Sequence, residues 1–183
     1  MTESPTYTLE MKEDHFEIRR YPDYILAQVD VESDYDSTVN IGFSILAKYI
    51  FGGNKKLKSI SITTPVSEEK IKGSERIPMA APVTEEASGE KIHRISFTMP
   101  SKYTLKTLPE PDDARIKFKE VKNQKTAVLR FSGRVKKKLA WEKMEEMGKW
   151  LEKNNFKLKS NFIVEQYNNP AVPGFFRRNE IFS

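Results

Sequence analysis

Apolar and polar positions set out the elements of this chain in two rounds. Phe16–Tyr21 and Tyr24–Val31 are rich in β-branched and aromatic residues, with Tyr21-Pro22-Asp23 as a turn signal between them. That pattern predicts a β-hairpin. From about Ser37 to Phe51 the period changes. Val39, Phe43, Leu46 and Ile50 fall at i, i+4, i+7 and i+11, one face of a helix. Asp36 or Ser37 is placed to cap its start, and Gly52-Gly53-Asn54 stops it. Leu57 to Val66 returns to a rough alternation and predicts a strand.

The order then recurs. Arg115–Val121 alternates apolar and polar, as a half-buried strand does. Asn123-Gln124-Lys125 is a turn, and Thr126–Phe131 a second strand. A lysine-rich helix is expected from about Val135 to Lys153, with Ala140, Met144, Met147 and Leu151 as its apolar stripe. Asn154-Asn155 ends it. Trp141 and Trp150 fall about 180° apart on that helix, so one of them is partly exposed or packs under a loop. Phe162–Tyr167 and Glu180–Phe182 read as the last strands.

The expectation is therefore an α+β fold in a single domain, 1–183. Two ββαβ halves, about 7–66 and 114–183, flank an insertion of about 67–89 that carries Gly73, Pro78, Pro82 and Gly89. Neither half buries enough apolar surface alone, so the two share a core. They are expected to close into a distorted antiparallel β-barrel with both helices outside. Thr64-Pro65-Val66 and Ala81-Pro82-Val83 form a near-repeat, each proline belonging at a strand end or sheet edge.

Composition removes most chemistries. The chain has no cysteine, which excludes disulfides, thiolate catalysis, iron–sulfur clusters and covalent c-type haem. Its two histidines, His15 and His93, are too few for a His-based zinc site. Its eight glycines form neither a P-loop nor a G-x-G-x-x-G, and no G-x-S-x-G elbow is present. The net charge of +5 is scattered. Lys55, Lys56 and Lys58, and Arg134 with Lys136–Lys138, adjoin helix ends, where solvated lysines are common, so no nucleic-acid partner is expected. No apolar run approaches about 18 residues, so no membrane span is expected. The polar, acidic first residues carry no signal-peptide core, and a cytoplasmic location is expected.

An ordered series of short motifs adds to this reading. It runs Phe43-x-x-Leu46-x-x-Tyr49-Ile50-x-Gly52-x-Asn54, then Ile60-x-Ile62-Thr63-Thr64-Pro65-Val66. Next come Ile77-Pro78-Met79-Ala80-Ala81-Pro82-Val83 and Ile95-x-Phe97-x-Met99-Pro100. Val128-Leu129-Arg130-Phe131-Ser132-Gly133, Tyr167-Asn168-x-Pro170 and Arg177-Arg178-Asn179-Glu180 complete it. The series resembles the SOUL haem-binding protein family over roughly Tyr7 to Phe182. The resemblance implies the duplicated, pseudo-twofold barrel read above, an architecture similar to the gyrase-inhibitor-like domains. It implies reversible, non-covalent binding of haem or another tetrapyrrole without catalysis, the chain serving as a monomeric carrier or buffer.

In the family the proposed groove runs along the first helix. Carried onto this sequence it offers Phe43, Ala47 and Phe51, each an i, i+4 neighbour of the next, with Lys48 toward a propionate. Asn40, two turns before Lys48, is neutral where some relatives carry a second basic residue. Plainer roles compete. Phe43 also belongs to the core stripe, and Lys48 suits a solvated helix C-terminus. His15 is expected at the surface, and His93, beside Ile92, facing outward. Met79 and Met99 are expected to pack beside prolines. Arg177–Glu180 is read as architectural, or as the charged guard of an edge strand. The alternative function is a binder of other hydrophobic small molecules, or a protein-interaction module. Related folds sometimes host hydrolysis through a buried carboxylate. Glu165 is the one strand carboxylate to consider, and its alternation with apolar neighbours places it outward.

Overall fold

The computed structural model describes residues 4–60, 66–72, 92–158, 161–168 and 171–183. Its elements are β1 (Thr8–Glu13), β2 (Phe16–Tyr21), β3 (Tyr24–Glu32), α1 (Tyr35–Ile50), β4 (Val66–Lys72) and β5 (Ile92–Thr98). They continue with β6 (Lys117–Val121), β7 (Gln124–Phe131), α2 (Lys137–Lys153), β8 (Ile163–Gln166) and β9 (Asn179–Phe182). The nine strands form one antiparallel sheet in the order β1-β2-β7-β9-β8-β4-β5-β3-β6. The sheet curls strongly into a half-barrel, and the fold is α+β.

The strands on either side of Pro22-Asp23 do not pair with each other. β2 pairs with β7, and β3 pairs with β6. The hairpin expected here is instead two strands that part at the turn. Pro22 has no N–H to extend a ladder, and each strand takes its partner from the other half of the chain. The two turns meet side by side. Tyr24 Oη donates to Gln124 Oε1 at 2.8 Å, and the Asn123 N–H donates to the Asp23 carboxylate at 3.0 Å. The remaining pairings match in kind: β3 with β5, β7 with β9, β4 with β5, β8 with β9, and β4 with β8 at the centre.

Both helices pack on one face of the sheet. Leu46, Tyr49 and Ile50 of α1 bury against Ala27, Val29, Ile95 and Phe97. Ala140, Met147, Trp150 and Leu151 of α2 bury against Ile18, Leu129, Val164 and Ile181. Glu68 of β4 stands in register with both Ile95 and Val164, which puts the two clusters on the same side. Gly42 sets the depth of α1: a Cβ there would lie 2.6 Å from Ile95 Cβ.

Several boundaries differ from the expectation. Asp34 caps α1, its carboxylate accepting from the Ser37 N–H at 3.0 Å, so the helix opens two residues earlier than predicted. Residues 57–60 are not a strand. Ser59 only bridges Phe51, and the Ile60 N–H reaches the Ile50 carbonyl at 2.7 Å. Residues 61–65 of that expected strand lie outside the described residues; β4, Val66–Lys72, runs into the stretch expected to be an insertion, and the remainder of that stretch, 73–89, also lies outside the described residues. β1 and β5, not predicted as strands, pair with β2 and with β3 and β4. β9 is an interior strand, so Arg177–Glu180 guards no edge.

Candidate functional site

Asn40, Phe43, Ala47, Lys48 and Phe51 all come to the solvent-facing half of α1, because Leu46, Tyr49 and Ile50 fix the opposite half in the core. Phe43 is 39% exposed and meets Phe97 edge-on at 5.3 Å, so it sits at the rim of the core rather than in it. Phe51 at the C-cap is 66% exposed, and Leu57 just beyond is 84% exposed. Ala47 separates the two rings with a small side chain. Lys48 lies on another flank, lining a hollow with Tyr49, Asp112 and Asp113. Asp113 is held down to about 2, by Arg115 first and by Lys48 at longer range.

The iron-ligand candidates lie elsewhere. His15 is exposed in the β1–β2 turn, where its carbonyl accepts from the Arg130 N–H at 2.9 Å. His93 is buried, not outward-facing. It shares the parity of Ile95 and Phe97 on β5, so it points toward the helix side, where Nδ1 meets Glu68 Oε1. Met99 is buried in the α1 core. Met79 lies outside the described residues. Among the described residues no cluster of three His, Cys, Asp or Glu is arranged for a metal ion. None of the five α1 residues is a usual iron ligand.

The helix-free face holds a buried polar network among the described residues. Arg19, fully buried, donates to Glu180 through both Nη atoms at 2.8 and 2.9 Å and to Glu17 Oε2 at 2.7 Å. Tyr167 Oη and Arg178 Nη2 also donate to Glu180, at 2.7 and 2.8 Å. Burial raises Glu180, but Arg19, Tyr167 and Arg178 together hold it below the ordinary carboxylate range. This is the work of Arg177–Glu180: Glu180 anchors β9 to β2 and β8, and the Asn179 side chain donates to the Gly133 carbonyl at 2.9 Å.

Beside this network lies a cavity of about 270 Å³, touched by eight of the nine strands. One cavity meets that many strands because the sheet curls around it. Tyr21, Tyr24, Tyr167 and Phe182 supply aromatic walls, and Ser67, Ser96, Gln28 and Glu165 a polar strip. Glu165, expected outward, is buried, since both faces of β8 are covered. The Ser67 hydroxyl lies 2.7 Å from both of its oxygens. Burial pushes Glu165 up to about 8, the Glu180 charge adding to the effect and Ser67 offsetting part. Nothing in the alternation signalled this; among the described residues the polar strand Val66–Lys72, crossing mid-sheet, is one sequence trace of a polar interior.

The chain is an α+β protein: a curled antiparallel sheet backed by two helices, with a walled hollow on its free face. The SOUL heme-binding protein family matches residues 2–183, and the chain belongs to that family. Among curated proteins none matches. Solved structures share the fold at low identity. The C-terminal domain of EcmrR aligns with a TM-score of 0.61 at 12% identity, covering 96% of this chain and 95% of its own. An uncharacterized conserved protein from Listeria innocua gives 0.60 at 11%, covering 93% and 91%. A hydrolase from Listeria innocua gives 0.55 at 10%, covering 94% and 92%. Among the described residues no helix is long and apolar enough to cross a membrane.

Proposed function

We propose that this protein binds haem or another tetrapyrrole reversibly along the outer face of α1 and acts as a non-catalytic carrier or buffer. The observation that carries this reading is the exposed apolar stripe Phe43–Ala47–Phe51 in a chain of a heme-binding family. Large exposed apolar patches mark binding surfaces. Phe43 and Phe51 flank Ala47, where a flat ligand can approach the backbone. Lys48 supplies a cation for a propionate, and Asn40 a neutral hydrogen-bonding group. Bound haem would supply redox-active iron, and the α1 face offers it no protein ligand of its own. The matched pairings of β2–β5 and β6–β9 support a duplicated unit of the gyrase-inhibitor-like kind, with five elements per half, ββαββ.

Haemin titrated into the purified chain should give a saturable Soret change at about one equivalent, weakened about tenfold by Phe51→Glu, which removes apolar contact and adds repulsion. Lys48→Glu should weaken it less. A broad change without saturation, indifferent to both substitutions, would refute the reading.

A further inference from the structure

We infer that the surface where α2 begins docks on an anionic lipid membrane, with Phe175 and Phe176 entering the interface and the basic residues around them facing lipid phosphates. Neither the α1 face nor the strand-lined cavity contributes a residue to this surface.

Phe175 and Phe176 sit on a single 3-10 turn, Gly174–Phe176. Both are 72% exposed, and their rings meet at 4.4 Å. Two adjacent large apolar side chains in water gain by leaving it. The turn that carries them is held in place. The Gly133 N–H donates to the Gly174 carbonyl at 3.0 Å, and Arg177 Nε donates to the Val172 carbonyl at 2.7 Å. A Cβ at Gly174 would lie 3.1 Å from the Arg134 nitrogen, so the turn rests on the backbone that leads into α2.

Positive charge surrounds the tip. From Ser132 to Trp141 the chain carries Arg134, Lys136, Lys137 and Lys138 and no acidic residue, and all four cations are exposed. Lys136, at the cap position of α2, makes no side-chain hydrogen bond, and the first turn holds no acid, so the helix start adds to the positive field. Lys143 follows two turns along, on the same helix face as Lys136. There it lines a hollow of about 490 Å³ with Arg130, Arg177, Arg178 and His15. Phe176 stands on the wall of that hollow, and no acidic residue lines it. Behind it, three arginines, Arg19, Arg130 and Arg178, share two carboxylates, Glu17 and Glu180, which leaves the network net positive.

An apolar tip within a ring of cations is complementary to an anionic bilayer, where phosphates lie just above the acyl boundary. Such contact is interfacial and needs no spanning helix. A single-stranded nucleic acid would meet the same charges, but it takes rings that offer open stacking platforms along a groove. These two rings stand at 50° to each other on a turn.

The test is co-sedimentation of the full chain with phosphatidylcholine vesicles containing about one quarter phosphatidylserine, against phosphatidylcholine alone. The chain should bind the anionic vesicles about tenfold or more tightly, and added salt should weaken that binding. Phe175→Ser with Phe176→Ser, and separately Lys136→Glu with Lys138→Glu, should each cut it about tenfold while leaving the haemin titration unchanged. Phe176→Trp keeps the ring and reports its position: the added emission should shift to the blue on the anionic vesicles and be quenched by brominated phosphatidylcholine within them. Equal binding to both vesicles, undiminished binding in either double variant, or an unquenched tryptophan at 176 would each overturn the inference. So would a chain that ignores the vesicles and instead dimerises through the tip or binds single-stranded DNA. A failed haemin titration bears on the α1 reading alone.

Discussion

Glu165 on β8 and Glu180 on β9 stand directly opposite each other in register, yet burial pushes Glu165 up to about 8 while Arg19, Tyr167 and Arg178 hold Glu180 below the ordinary carboxylate range. Neighbouring strands place such residues about 5 Å apart, where two buried anions repel strongly. The difference is one of partners: Arg19 and Arg178 face Glu180, and a serine faces Glu165. One proton on Glu165 removes the repulsion.

That proton makes stability depend on pH in a defined window. A carboxyl whose pKa is higher folded than unfolded gives a contribution that is complete below about 4.5 and lost as pH climbs through about 8. Glu180, lowered instead, acts only below the ordinary carboxylate range, where acid removes its contribution. Between these limits the Glu165→Gln chain, unable to ionise, should gain on the parent as pH rises, by up to about 1.4 kcal/mol per pH unit. Urea unfolding of both chains across the window measures the gap, and a constant gap contradicts the assignment.

Arg19 is a buried charge held from several sides. It is fully buried and joins Glu17 and Glu180, and its ring neighbour Tyr7 sits 4.2 Å from the guanidinium. Arg19→Met fills the space but takes the fully buried cation from Glu180 and leaves it Arg178 and Tyr167, so the cost approaches but does not exceed the roughly 3–5 kcal/mol of breaking a buried pair from one side. Chemical denaturation should show that loss, and Arg19→Met with Glu180→Leu should recover a large share of it. Independent, additive losses would mean that the two side chains are not coupled.

Helices and most strands were legible because packing on one side leaves a periodic trace: Leu46 and Ile50 in α1, Ala140, Met147 and Leu151 in α2, are where the spacing put them. Pairing was not legible. Phe16–Tyr21 and Tyr24–Val31 look like partners because they are close in sequence, but the register belongs to β7 and β6. Alternation also misled wherever both faces of the sheet are covered. Glu165, His93 and Glu68 are polar and buried because cavity and helices close the two sides of β8, β4 and β5. His93 held a clue, since it shares parity with Ile95 and Phe97. The α1 site residues came from the family resemblance and not from the helical period, and Phe43 is more exposed than its place in the periodic stripe implied.

Gly42 shows how closely α1 meets the sheet. Alanine is favoured over glycine in a helix by about 1 kcal/mol. Here the added methyl would meet the Ile95 side chain, at 2.6 Å from Cβ and closer still to Cγ1. Overpacking of this kind costs about 1–3 kcal/mol, so Gly42→Ala should lower the thermal midpoint despite its propensity gain. An unchanged or raised midpoint would show that α1 shifts freely on β5. Because that shift would also move Phe43 relative to Phe97, haemin affinity read in the same variant reports on the outer face.

The outer face can be strengthened as well as broken. Asn40 is exposed on the same half of α1 as Lys48, and eight residues along a helix span about 12 Å. Asn40→Lys adds a second cation toward a ligand that carries two carboxylates. An exposed pairing is worth up to about 1 kcal/mol, so haemin affinity should rise up to about fivefold at low salt, with the gain fading as salt is added. Urea unfolding should be nearly unchanged, because the side chain is exposed. If Asn40→Lys leaves haemin binding untouched while Phe51→Glu weakens it, the plate lies over the C-terminal end of α1 with its carboxylates directed away from Asn40. If both are silent, the tetrapyrrole does not use this helix.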